Sequence, residues 1–178
     1  MKNIGLKKGT VRVIPHQAKW HANFQKEKAL ILSLQNKHIK DIEHVGSTSI
    51  QGMPAKPIID IIIGIDKYSN TVKLIKDLAG IGFEFRLRPR RYQTLFVKMD
   101  GEKETHYLKV LRYRGIWWHE YMHFKDMLTS NKKLFDEYKC LKMKLVESYS
   151  NDRKAYTQSK SIFIKKVMDK LPISIASS

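Results

Sequence analysis

Residues Ile42 to Ile65 read IEHVGSTSIQGMPAKPIIDIIIGI, and this stretch decides the fold. Ile42–Val45 has the character of a strand. Gly46-Ser47 is a turn that runs into a short polar loop, and Pro57–Ile65 is a second strand whose apolar run carries one acid, Asp60. A small-residue turn after a strand offers backbone N–H groups and hydroxyls to a phosphate. A lone carboxylate in an otherwise apolar strand is costly to bury without a partner such as a metal ion. Together the turn and the acid point to a nucleotide site. A tight turn followed by an acid at the solvated end of its strand would give the same pattern.

Outward from this stretch, helix and strand patterns alternate. Thr10–Ile14 has the character of a short edge strand, and Trp20, Phe24, Leu30, Ile31 and Leu34 lie near helical spacing between His16 and Lys37. Ile39–Val45 is the first core strand. The Ile-rich run of Pro57–Ile65 reads as a strand buried on both faces. Asp66–Ile81 follows as a helix ended by glycines, then Gly82–Leu87 as a strand leading into an arginine cluster. Tyr92–Met99 and Thr105–Leu111 read as an antiparallel pair around Asp100-Gly101. Three helices complete the pattern, at Ile116–Leu128, Asn131–Tyr149 and Asp152–Leu171, ahead of a tail expected to fray. The fold class is α+β with an α/β core: a mixed sheet over about residues 10–112, flanked by helices, and a helical part over about 113–171. The whole of 1–178 reads as one domain.

Composition narrows the function classes. The 178 residues carry 34 Lys and Arg against 17 Asp and Glu, a net charge of +17. Such a field attracts polyanions, whether nucleoside triphosphate, RNA, DNA or an acidic membrane surface, and it also keeps a protein soluble. Its one dense cluster is Arg86-Leu-Arg-Pro-Arg-Arg91, four arginines in six residues. No apolar run approaches the length of a membrane span, and Met1–Pro15 lacks the apolar core of a signal peptide. A cytoplasmic location is therefore expected, with no membrane partner. A single cysteine, Cys140, excludes an internal disulfide and any cysteine-based zinc cluster.

Two motifs carry metal chemistry. His119-Glu120-Tyr121-Met122-His123 has the H-E-x-x-H spacing that sets two imidazoles on one helix face. A catalytic zinc needs a third protein ligand. No histidine follows His123, and Asp126, Glu137 and Glu147 have no supporting pattern, so zinc is not expected. Gly46-Ser47 followed by Asp60 on the next strand is better placed. It is the layout of nucleotidyltransferase-like folds, in which the turn holds triphosphate and acids hold Mg²⁺. It is not a Walker loop, because Met53 and not Lys-Ser/Thr follows Gly52.

EHVGSTSIQGMPAKPIIDI resembles the signature of the GrpB family. Similarity continues in register at Arg90-Arg91-Tyr92, at Thr105-His106-Tyr107-Leu108-Lys109-Val110 and at Phe124-Lys125-Asp126-Met127-Leu128. It continues again at Tyr138-x3-Lys142 and at Asp152-Arg153-x2-Tyr156-x3-Lys160-x2-Phe163-Ile164. The resemblance spans roughly residues 10 to 170 and implies a DNA polymerase beta-like nucleotidyltransferase fold with a helical C-terminal region. It also implies a ligand that is a nucleotide or other phosphorylated molecule, with nucleotidyl transfer dependent on Mg²⁺ as the associated chemistry. On that reading Gly46, Ser47 and Thr48 hold phosphate and Asp60 holds Mg²⁺. Lys56, Arg90, Arg91 and Lys109 neutralise phosphate charge, Tyr156 stacks on the nucleotide while Lys160 pairs with it, and His106 accepts a proton; helix–core packing accounts for Tyr156 equally well, and a solvated basic patch for Arg90 and Arg91. One departure counts against turnover. The superfamily pairs two acids as D-x-D or D-x-E, and this chain has Asp60-Ile61-Ile62. The alternative is an inactive module binding RNA or an acidic partner through its basic surface. The oligomeric state is left open.

Overall fold

The computed structural model describes residues 4–169. Its centre is a mixed sheet built from β1 (Leu6–Lys7), β2 (Ile39–Val45), β3 (Ile59–Ile65), β4 (Phe83–Arg90), β5 (Gln93–Asp100) and β6 (Lys103–Arg112). The order is β2-β3-β6-β5-β4, and β1 pairs with the start of β6. Only the β3–β6 pair is parallel, with Asp60 beside Tyr107 and Ile62 beside Lys109. The helices are α1 (Lys19–Leu32), α2 (Thr71–Gly80), α3 (Ile116–Ser130), α4 (Lys132–Ser148), α5 (Arg153–Ser159) and α6 (Ser161–Met168).

The isoleucine run sorts itself by parity, because successive strand side chains point to opposite faces. Ile59, Ile61, Ile63 and Ile65 join Leu108, Val110 and Phe96 in one core, closed by Trp20, Phe24 and Ile31 of α1 and Leu74 and Leu78 of α2. On the other face Ile62, Val45 and Leu111 meet Trp118 of α3. Both faces of β3 are therefore covered, and each fully buried isoleucine contributes about 1.5–3 kcal/mol. Gly64 lets α3 approach: a β-carbon there would lie 2.8 Å from Trp118 and from Tyr113. Helices α3, α4 and α6 close a further core around Ile50, Met53, Leu128, Leu134, Tyr138 and Val167.

The expected strand at Thr10–Ile14 is absent apart from a bridge between Ile14 and Ala55. The Val11 N–H donates to Ser150 and the Thr10 carbonyl accepts from Arg153, so that segment bonds the helical part of the chain rather than a ladder. The arginine cluster lies inside β4 up to Arg90, where the strand ends instead of at Leu87, and Arg91 follows in the turn. The final helix is two: α5 is capped by Asp152, whose carboxylate accepts from the Ala155 N–H, and the break with α6 falls at Lys160. Lys170 and Leu171 lie outside the described residues. No described helix is long and apolar enough to cross a membrane.

Candidate functional site

Val45, at the end of β2, faces Asp60 near the start of β3. Between them Gly46 turns the chain with φ of 68°, a left-handed conformation that glycine adopts without a steric penalty. A β-carbon there would sit 2.8 Å from Asp60 Oδ2, so the turn and the acid can be this close only because residue 46 has no side chain. Ser47–Ser49 then form a single 3₁₀ turn. His44 holds it from behind: its Nε2 lies 2.9 Å from Thr48 Oγ1 and its ring stacks on Phe24. Burial pushes His44 down to about 3, so it is neutral at pH 7.

Above the turn opens a cleft of roughly 390 Å³ that takes polar side chains from four further elements. Asp60 comes from β3, Tyr107 and Lys109 from β6, Tyr138 and Lys142 from α4, and Arg153, Tyr156 and Thr157 from α5; Lys160 follows at the α5–α6 break and Lys56 precedes β3. Five cationic side chains thus surround one carboxylate, and Asp60 is already committed to Lys109 at 2.8 Å. Arg153 is anchored too, bonding Glu104 and the Tyr107 hydroxyl.

The remaining three lysines bear the cost of this crowding. Lys142 is 2% exposed; it donates to the Pro54 carbonyl and lies 5.2 Å from the Tyr138 ring. Burial first, then Lys160 and Lys56, hold it well below the usual lysine range. Burial with neighbouring Lys56 brings Lys160 down to about 7, and burial brings Lys56 to about 8 despite the attraction of Asp60. Both ammonium groups lie over Tyr156, at 4.5 Å and 5.6 Å. The cleft's own lining is short of negative charge, and an anion entering it would stabilise all three protonated lysines.

A two-metal centre does not fit these donors. Ile62 stands where a second acid would share the face of Asp60, and the facing positions of β6 hold Tyr107 and Lys109. Among the described residues Asp60 is the one carboxylate lining the cleft, with Lys109 at hydrogen-bond distance. Among the described residues no group of three or more His, Cys, Asp or Glu side chains is disposed to hold a metal ion, the His119–His123 helix included.

Of the residues singled out from sequence, Gly46, Ser47, Thr48, Lys56, Asp60, Lys109, Tyr156 and Lys160 converge on the cleft. Arg90 is exposed but lines an adjoining hollow that shares Gly46, Asp60, Lys109 and Lys160, where it pairs with Glu120 at 3.3 Å. Arg91 lines neither and lies over Tyr92. His106 corrects the expectation of a proton acceptor. Its neighbour across the ladder is Ile59, not Asp60, so it points to the opposite face, buried near Phe83 and lowered by burial to about 4. Sequence reasoning missed Tyr107, Tyr138, Lys142 and Arg153 as cleft residues. Lys142 carried a signal: it falls one helical turn after Tyr138, on the apolar stripe of α4, where a lysine needs a reason.

A sheet of this order, with a glycine–serine turn and an acid at the end of its first strand pair, is a nucleotidyltransferase-like fold. Two solved structures share it. The Cid1 poly(U) polymerase superposes with a TM-score of 0.50 at 16% identity, and a cytoplasmic RNA terminal U-transferase with 0.51 at 20%. Each comparison covers 75% of this chain but 41% of the other. The family model for GrpB protein matches residues 10–170, and the chain belongs to the GrpB family. The glutamate-rich protein GrpB of Alkalihalophilus pseudofirmus is 33% identical over 173 residues, spanning 94% of this chain and 99% of that one. The crystal structure of conserved protein GrpB from Enterococcus faecalis superposes with a TM-score of 0.82 at 24% identity, covering 89% and 96% of the two chains. Glutamate richness does not extend to this chain, whose 17 acids of both kinds face 34 bases.

Proposed function

We infer that the cleft binds a nucleotide or similar molecule through a run of phosphates. The observation that carries this is the surplus of cations: Lys56, Lys142 and Lys160 face a cavity whose lining carboxylate, Asp60, is spent on Lys109 and whose arginine, Arg153, is spent on Glu104. Three lysines held below their usual range are matched by a ligand with several charges, since each gains from protonation as the anion enters. In this reading the N–H groups of the Gly46-Ser47-Thr48 turn and the Ser47 hydroxyl take one phosphate and the lysines take the others. Tyr156, under two ammonium groups, forms the floor. Nucleotidyl transfer is the chemistry that the fold neighbours, a polymerase and a U-transferase, bring to mind. It would need a partner acid and a base that the cleft's lining does not provide, so binding without turnover fits the residues better.

The test is titration calorimetry with ATP, CTP, GTP and UTP, with and without Mg²⁺, on wild type, Lys160→Gln and Asp60→Asn. At least one triphosphate binds wild type, and Lys160→Gln weakens it about tenfold, as expected for removing one charge-assisted hydrogen bond. Binding does not require Mg²⁺, because Asp60 serves Lys109. No binding by wild type would remove the proposal; strict Mg²⁺ dependence abolished by Asp60→Asn would replace it with a metal-centred site.

A second reading has its own observation. Arg88, Arg90 and Arg91 are exposed at the edge of the sheet, where RNA or an acidic partner could meet them. It predicts binding that falls steeply with salt and survives Lys160→Gln.

A further inference from the structure

The opposite end of the sheet holds a second cavity that the lysine cleft does not use. It is roughly 610 Å³ and is lined chiefly by Tyr68, Tyr92, Arg112, Ile116 and Trp117. Asp60 lines the first site and Asp66 the second, so β3 sets them about 20 Å apart by the rise of an extended strand.

Its aromatic walls are held in place. Tyr68 and Tyr92 meet edge to face at 5.6 Å, and the Tyr68 hydroxyl lies 2.6 Å from Thr94 Oγ1. Trp117 Nε1 donates to the Arg91 carbonyl at 2.7 Å, and the Arg90 guanidinium covers the ring at 4.6 Å. Tyr92 has φ of 61° and Arg114, beside the lining Gly115, has φ of 55°; neither is glycine. Such conformations cost energy and persist where the surroundings demand them.

Charge gathers at the same place. Five of the chain's eight arginines lie near this end: Arg88 and Arg90 late in β4, Arg91 just past it, Arg112 at the end of β6 and Arg114 just beyond. Arg88, Arg91, Arg112 and Arg114 are exposed. Fixed aromatic rings beside a basic track hold single strands without base-edge readout, because every base offers a π-face and every link a phosphate. A duplex offers no free base, and an acidic peptide would use the arginines but not the rings.

The geometry points to a binding site for single-stranded nucleic acid at this end of the sheet. A base enters the cavity against Tyr92 and Trp117, and the flanking phosphates lie on Arg88, Arg91, Arg112 and Arg114. This site sharpens the RNA-binding reading of the arginine edge and is independent of the lysine cleft. The experiment is fluorescence anisotropy of the full chain with labelled single strands of about 12 nucleotides, as RNA and as DNA. The matching duplex, heparin and polyglutamate serve as other polyanions. Tyr92→Ala weakens single-strand binding about tenfold and leaves heparin unchanged, while Tyr92→Phe binds as wild type. Arg88→Ala with Arg91→Ala lowers the salt slope by about 0.7 for each phosphate no longer neutralised. Melting by circular dichroism checks that both variants fold. Comparison of RNA with DNA tells which sugar the site prefers. If the arginine variant loses binding and Tyr92→Ala does not, the basic surface stands but the base site is overturned. Duplex, heparin or polyglutamate binding as tightly as the single strand would overturn it as well.

Discussion

Gly46 shows how much one position can carry. Any other residue there meets two obstacles at once, the left-handed φ and the Asp60 carboxylate 2.8 Å from where a β-carbon would lie. Gly46→Ala should lower stability by roughly 1–3 kcal/mol and displace Asp60 from Lys109, read as a fall in melting temperature with weakened triphosphate binding. Truncating Asp60 to alanine in the same chain should recover part of the melting loss, because the carboxylate at 2.8 Å is gone while the Asp60 β-carbon at 3.1 Å stays. Gly46 and Asp60 were legible in the sequence because a turn and an isolated acid are local signals. His106 was misread for an equally local reason. It lies within reach of Asp60 in the pairing but one residue out of phase, and in a strand one residue is the other face.

Among the elements, α5 does more than its 7 residues suggest. Arg153 bonds Glu104 and Tyr107 on β6 and also the carbonyls of Lys7 and Thr10. Its side chain and that of Glu104 are 13% and 6% exposed. Replacing Arg153 with methionine leaves Glu104 buried without its countercharge and should cost about 3 kcal/mol. In hydrogen exchange, the amides of residues 5–14 should lose protection first, while those of β3 keep theirs. A uniform loss across the sheet would show that Arg153 supports the core as a whole. The element pattern was readable over most of the chain, since the Ile run and the heptad-like helices have strong periods. Residues 10–14 looked like a strand from their alternation. What displaced them was Arg153 and Ser150, partners more than a hundred residues away that no local pattern reveals.

The whole molecule carries its surplus charge unevenly, and pH should expose this. Lys160 and Lys56 titrate near 7 and 8 when folded, and Lys142 also lies below its usual range, whereas all three return to about 10.5 on unfolding. Between those values the unfolded chain binds more protons, so stability of the empty protein rises with pH from about 7 towards 10. A bound triphosphate offsets this rise, because its binding takes up protons on the lysines. Scanning calorimetry should therefore find the ligand's stabilisation shrinking above about pH 8 while the empty protein's melting temperature climbs. Neutralising Lys160 and Lys142 by glutamine and methionine should flatten both trends. The sum of +17 was visible from composition, but its division between a buried cluster and an exposed arginine edge depends on how α4 and α5 fold back over the sheet.

That folding back has a consequence in time. The turn at Gly46 and the lysines at 142 and 160 are separated by about a hundred residues, so the cleft is closed by some of the longest loops in the chain. A nascent chain with its sheet complete but α4 and α5 still inside the ribosome would own the acid and neither of these late lysines. Ligand recognition should therefore arrive last. In refolding experiments, capture of a fluorescent triphosphate should lag behind burial of Trp20, and coincident phases would show that sheet and cleft assemble together.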